Sequence, residues 1–161
     1  SAAYPKRSYY CNLFMQYHFF ETTGQMHFTP PVQTIYAARQ ALDEYFREGE
    51  DAKWNRHLEV FEAIHAGLDK LGFKDIIKRD IQAGLGVTVK YPDDENWSFE
   101  KVHDYCYERG FTIYPGKTSA QNTFRLCALG AITKEDIEDF FVVLYEALKV
   151  NNIQIPIHYD A

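Results

Sequence analysis

Arg125 offers the most chemistry in this 161-residue chain, because it is a charged fork set inside the apolar run Thr123-Phe-Arg-Leu-Cys-Ala-Leu129. Strand alternation puts it on one face with Cys127 and Leu129, and puts Phe124, Leu126 and Ala128 on the other. A guanidinium in such a strand must meet an anion or reach water, since burying it unpaired is costly. Two readings follow from the residues alone. Arg125 either pairs with a local acid as an edge-strand residue, or its planar fork grips a carboxylate or phosphonate oxyanion. A second candidate is Thr29, in Phe28-Thr29-Pro30-Pro31. Its hydroxyl can cap a helix whose opening turn takes the two prolines, which lack amide hydrogens.

Other reactive side chains form no constellation. His18, His27, His57, His65, His103 and His158 show neither HExxH nor a Cys/His ligand pattern. His57 and His65, eight residues apart on one expected helix, could share a face but are too distant to be adjacent ligands, and are read as satisfied or solvent-facing. The run Asp93-Asp94-Glu95 beside Pro92 reads as a solvated turn rather than a catalytic carboxylate pair. A nucleophile elbow, a P-loop and a dinucleotide fingerprint are all missing from the sequence. Cys11, Cys106 and Cys127, odd in number and set among apolar neighbours, suit reduced, buried thiols of a cytoplasmic protein.

These residues need a frame, and the composition supplies one. Hydrophobic content of 46% and aromatic content of 16% argue for a packed globule, with twelve Tyr and twelve Phe to fill a core or an interface. A formal net charge of −6 without basic blocks gives nucleic acid no electrostatic footing. No apolar run reaches the roughly 18 to 20 residues that a membrane span requires.

Along the chain, Ser1 to Phe28 shows no sustained period, only the aromatic stretch Ser8–Phe20, which should pack against something else. Val32, Ile35, Tyr36, Leu42, Tyr45 and Phe46 recur at helical spacing as far as Gly49. Asp51 is expected to cap a second helix with Trp54, Leu58, Phe61, His65 and Leu68 on one face, ending at Gly72. Leu85–Tyr91 alternates as a half-buried strand. Ser98 caps a third helix that Gly110 closes, Phe111–Tyr114 reads as a short strand, and Pro115-Gly116 as a turn. Thr123–Leu129 is a strand. Thr133 and Asp136 open a last helix with a capping box, carrying Ile137, Phe140, Phe141, Leu144 and Leu148. Ile153, Ile155 and Ile157 around Pro156 suggest a short edge strand or a tail contact. Strands separated by a turn point to an antiparallel pair under helices, hence an α+β, two-layer fold.

Several landmarks occur together and in order: Thr23-Gly-Gln-Met-His-Phe-Thr-Pro-Pro-Val-Gln-Thr34, Arg39-Gln-Ala-Leu42, Glu48-Gly49, Leu71-Gly-Phe73, Arg109-Gly-Phe-Thr-Ile-Tyr-Pro-Gly-Lys117 and Thr123-Phe-Arg-Leu-Cys-Ala-Leu-Gly130. From about Asn12 to Val150 they resemble the C-terminal region of class V, fold-type I aminotransferases that use pyridoxal 5′-phosphate (PLP), most closely the 2-aminoethylphosphonate–pyruvate transaminases. The resemblance implies a small C-terminal domain over residues 31–150, a remnant of the large domain over 1–30 and a tail over 151–161. It implies that Thr29 reaches the PLP phosphate of the other subunit of a homodimer, consistent with a hydroxyl and free amides at a helix start. It also implies that Arg125 binds the acidic group of the substrate, which tips the balance between its two readings. Tyr114-Pro-Gly-Lys117 resembles a loop near that pocket. Lys117 is not the cofactor lysine, which in this family lies upstream in the large domain.

The implied reaction moves the amino group of 2-aminoethylphosphonate to pyruvate, giving phosphonoacetaldehyde and alanine, in a cytoplasmic enzyme. One departure is His27, where the phosphonate branch usually has arginine. The family's cofactor lysine, its ring-facing aspartate and its stacking aromatic match no position here, so the chain by itself is expected to carry no catalytic residue, hold no cofactor and be inactive. Competing expectations are another class V transaminase, of alanine–glyoxylate or serine–pyruvate type, or a non-catalytic binding or assembly module.

Overall fold

The computed structural model describes residues 11–117 and 122–159, with the side chain of Lys117 outside the description. The chain forms two compact units, Ser1–Glu48 and Gly49–Ala161. Val32–Glu48 in the first unit is a helix of which no residue is buried.

The first unit corrects two expectations. Leu13–Thr23 is a helix, α1, where no period was expected. Asn12 caps it by accepting the Met15 amide at 3.2 Å, and Gly24 ends it in the left-handed conformation at φ 69°. Leu, Phe, Met and Tyr stand on all its sides, so no apolar stripe marks it in the sequence. The aromatic stretch Ser8–Phe20 begins in residues that lie outside those described. The second helix, α2, spans Val32–Glu48. The Pro31 carbonyl accepts the Ile35 amide at 3.0 Å, so Pro31 takes the capping place and neither proline fills the opening turn. Each proline disfavours helical backbone in the residue before it, which keeps Thr29 and Pro30 out of the helix.

In the second unit, α3 (Glu50–Leu71) leads through a single-turn helix at Arg79–Ile81 to β1 (Gly86–Lys90), α4 (Phe99–Tyr107), β2 (Tyr114–Lys117), β3 (Asn122–Cys127) and α5 (Lys134–Val150). The three strands lie in the order β1-β3-β2, and both pairs are antiparallel. One core joins Ile64 and Leu68 of α3, Val87 and Val89 of β1, Phe124 and Leu126 of β3, Val102 and Cys106 of α4, and Leu144 and Leu148 of α5. This is the expected α+β, two-layer arrangement of helices on an antiparallel sheet.

Details differ where backbone chemistry decides. Gly49, at φ 88°, takes the joint before α3, so Asp51 joins Glu50 in the first turn, where acids favour the helix dipole. The helix α4 stops at Tyr107, before Gly110. Tyr114-Pro-Gly-Lys117 is strand β2 rather than a turn. As an edge strand it tolerates a proline that cannot donate to a ladder. Gly116 is required there: a Cβ would collide with Thr123 Oγ1, which donates to the Gly116 carbonyl at 2.9 Å.

Residues 151–159 form no strand. Ile153 and Ile157 are buried, and the Ile157 amide donates to the Leu71 carbonyl at 2.8 Å. Of the three thiols only Cys106 is buried, its pKa pushed up to about 11 by desolvation, whereas Cys11 and Cys127 are exposed. Cys127 escapes burial because it shares the outward face of β3 with Arg125. Among the described residues no helix is long and apolar enough to cross a membrane.

Candidate functional site

β3 is the middle strand of the sheet, not an edge, and from Phe124 onward its burial alternates as the sequence requires. Phe124, Leu126 and Ala128 are buried in the core, while Arg125, Cys127 and Leu129 face out. The register sets Thr88 of β1 and Tyr114 of β2 directly opposite Arg125, making one row of hydroxyl, guanidinium and phenol across the sheet. Among the described residues no carboxylate pairs with Arg125. The local-acid reading therefore finds no partner, and the fork stays open to an external anion.

Arg125 lines a depression of about 650 Å³ bounded by Tyr114, Cys127, Leu129, Ile132 and Phe140. Asp136 also lines it, held below the ordinary aspartate range by the Thr133 backbone amide and hydroxyl, so it stands ionised with its charge engaged by the capping box of α5. The end of β3 is fixed from α3. His57 Nδ1 donates to the Ala128 carbonyl at 2.8 Å, and Arg56 Nη1 donates to the Gly130 carbonyl at 2.8 Å. Those bonds anchor the strand and so hold Arg125 in place.

The other candidates are structural. His57 and His65 are both buried. His65 Nε2 meets Gln82 Oε1 at 3.2 Å, and its Nδ1 lies 3.2 Å from Asp75 Oδ2. Arg79 joins this group by bonds to Asp69 at 2.5 and 2.8 Å and to Asp75 at 3.2 Å, holding the Asp69 carboxyl below its usual range. In the acidic turn, Asp93 pairs with Lys90 at 2.9 Å, and Asp94 accepts the Asn96 and Gln154 amides at 2.8 and 3.0 Å.

Thr29, in the first unit, is exposed, and its hydroxyl makes no hydrogen bond among the described residues. Beyond it α2 begins with the amides of Gln33 and Thr34 outside the intrahelical ladder. His27 packs between Phe19 and Phe28, with ring centroids 4.9 and 4.5 Å away. Lys117 carries no described side chain. Sequence reasoning gave Tyr114 no chemical role beyond a strand end and a loop resembling one near the pocket, because its pairing with Arg125 depends on a sheet register that only the fold displays.

The same fold occurs in parts of solved aminotransferase structures. Solved structures similar to it include an alanine–glyoxylate aminotransferase of Nostoc sp., with TM-score 0.77, 20% identity, and 91% of this chain and 39% of that one covered. Another is the ureidoglycine–glyoxylate aminotransferase of Bacillus subtilis, with TM-score 0.72, 19% identity, and 88% and 37% covered. These matches fall on the C-terminal portions of fold-type I enzymes.

At the sequence level the chain is a homologue of the C-terminal part of 2-aminoethylphosphonate–pyruvate transaminases. It is 31% identical over 145 residues to such an enzyme of Cupriavidus pinatubonensis, covering 89% of this chain and 38% of the relative. It is 35% identical over 135 residues to that of Burkholderia ambifaria, covering 83% and 36%. The chain thus spans a little over a third of the length of the curated relatives it matches. No family model matches the sequence.

PLP is the cofactor that these aminotransferase relatives imply. The residues present fit one edge of it: the unbonded Thr29 hydroxyl and the free amides at the start of α2 suit a phosphate oxygen.

Proposed function

We propose that this chain is the C-terminal part of a PLP-dependent transaminase that moves an amino group from 2-aminoethylphosphonate to pyruvate. The observation that carries the reading is Arg125, a fork without an acid partner among the described residues, on the central strand of the sheet and open to a depression of about 650 Å³. It supports recognition of an acidic substrate group by two parallel charge-assisted hydrogen bonds. The relatives named for the same substrates support the assignment further.

In this reading the cofactor supplies the electron sink for amino transfer, and this chain supplies grip and orientation. Arg125 fixes the phosphonate of the donor and then the carboxylate of pyruvate, which sets the distance from anion to reacting nitrogen. The apolar floor of Leu129, Ile132 and Phe140 keeps water from that ion pair and strengthens it. Thr29 holds a phosphate oxygen of the cofactor bound by the other subunit of a homodimer. The free thiols suit a reducing, cytoplasmic setting. The 161 residues alone carry no catalytic residue and no transaminase activity.

A substrate profile of the complete enzyme tests the assignment. Alanine should form from pyruvate fastest with 2-aminoethylphosphonate as donor. Preference for alanine with glyoxylate, or for serine with pyruvate, would move the protein to another class V activity, to which the Nostoc structure gives a fold-level link.

A further inference from the structure

A phosphonate and a carboxylate differ in a way that one arginine cannot read. A guanidinium fork makes two parallel hydrogen bonds, which match the two oxygens of a carboxylate and leave the third oxygen of a phosphonate dianion without a donor. A site that prefers phosphonate therefore needs one more donor beside the fork, aimed at the same point.

The sheet register places such a donor. Tyr114 of β2 is the direct cross-strand partner of Arg125, so both side chains rise from the same face with Cβ atoms about 5 Å apart. Tyrosine and arginine side chains are of similar length, which brings the phenol oxygen and the guanidinium to a similar height above the sheet. Tyr114 is 60% exposed and lines the same depression as Arg125. No hydrogen bond commits its hydroxyl among the described residues. Its backbone is steadied by the two residues that follow it. Pro115 stiffens the edge strand, and Gly116 is locked against Thr123 by the 2.9 Å hydrogen bond. Thr88, across β3 on the opposite flank, is half-buried and does not line the depression, so it is the weaker donor.

We propose that Tyr114 is a specificity-determining residue: its phenol O–H donates to the third oxygen of a tetrahedral anion held by Arg125, making the site prefer a phosphonate over a carboxylate. This rests on the assignment of Arg125 as the substrate-anion anchor.

The test compares two inhibitors that carry the same ethyl group on different acids, ethylphosphonate and propionate, on the complete enzyme with Tyr114→Phe and Arg125→Ala variants. Tyr114→Phe should weaken ethylphosphonate about tenfold, the loss of one hydrogen bond to a charged group, and propionate less than about twofold. Tyr114→Gln, which returns a donor, should recover part of the phosphonate preference. Equal weakening of both inhibitors by Tyr114→Phe, or no change in either, overturns the proposal. Arg125→Ala separates the two levels. If it weakens both inhibitors strongly while Tyr114→Phe leaves their ratio unchanged, the anchor stands and Tyr114 has no role. If it weakens neither, the anchor itself is wrong.

Discussion

The two units of this chain solve opposite problems. Gly49–Ala161 encloses its own core, in which Ile64, Leu68, Val89, Val102 and Phe124 are fully buried. Among residues 11–48 nothing is buried, although Leu13, Tyr36 and Phe46 are 83, 71 and 73% exposed. Burial of apolar surface is the main stabilising term in folding, so the second unit has the means to hold its shape and the first does not. The same contrast sorts the candidate site residues: Arg125 sits on a self-supported sheet, and Thr29 between two helices that lack a core.

The largest effect expected from this contrast is at Phe124. Phe124→Ala should destabilise the second unit by about 3–5 kcal/mol, since it empties the centre where Phe73 and Trp97 pack at 5.6 and 6.0 Å. Phe46→Ala in α2 should change unfolding by no more than about 0.5 kcal/mol. Denaturant melts of the chain compare them, and a similar cost at both positions would break the contrast.

A smaller loss is expected at Gly116. Gly116→Ala forces a methyl against Thr123 Oγ1 and should cost about 1–3 kcal/mol in the same melts. Thr133→Ala, which removes the cap of α5, should cost about 1 kcal/mol.

Acidification sharpens the comparison further. Asp69 and Asp136 both belong to the second unit, and both have folded pKa values below the ordinary aspartate range, Asp69 through Arg79 and Asp136 through Thr133. A depressed carboxylate contributes its stability above the unfolded pKa and loses it as pH falls through the folded one. Stability of the second unit should therefore decline below the usual aspartate range, and Asp136→Asn should flatten that decline. The finest test is chemical. An alkylating reagent at neutral pH should modify Cys11 and Cys127 and spare Cys106, whose thiol is buried with a pKa of about 11, until the second unit unfolds.

Much of the second unit was legible in the sequence because its signals are local. Ser98 and the Thr133–Asp136 box announce helix starts, and the alternation around Arg125 announces which residues turn inward. What escaped depended on partners. The helix α1 has apolar residues on every side and so no stripe to read. Strand β2 looks like a turn until β3 is beside it to accept a proline on the edge and a glycine against Thr123. Arg125 was visible as a residue, but its lack of an acid partner among the described residues and its row with Thr88 and Tyr114 come from the fold and its register, which composition does not carry.

The most direct test of the account is the kinetics of Arg125→Ala against Arg125→Lys in the complete enzyme. A bidentate anchor predicts that alanine raises KM for 2-aminoethylphosphonate by about two orders of magnitude, and that lysine, a point charge without the fork, restores only part of the loss. A KM unchanged by the alanine substitution would contradict the account.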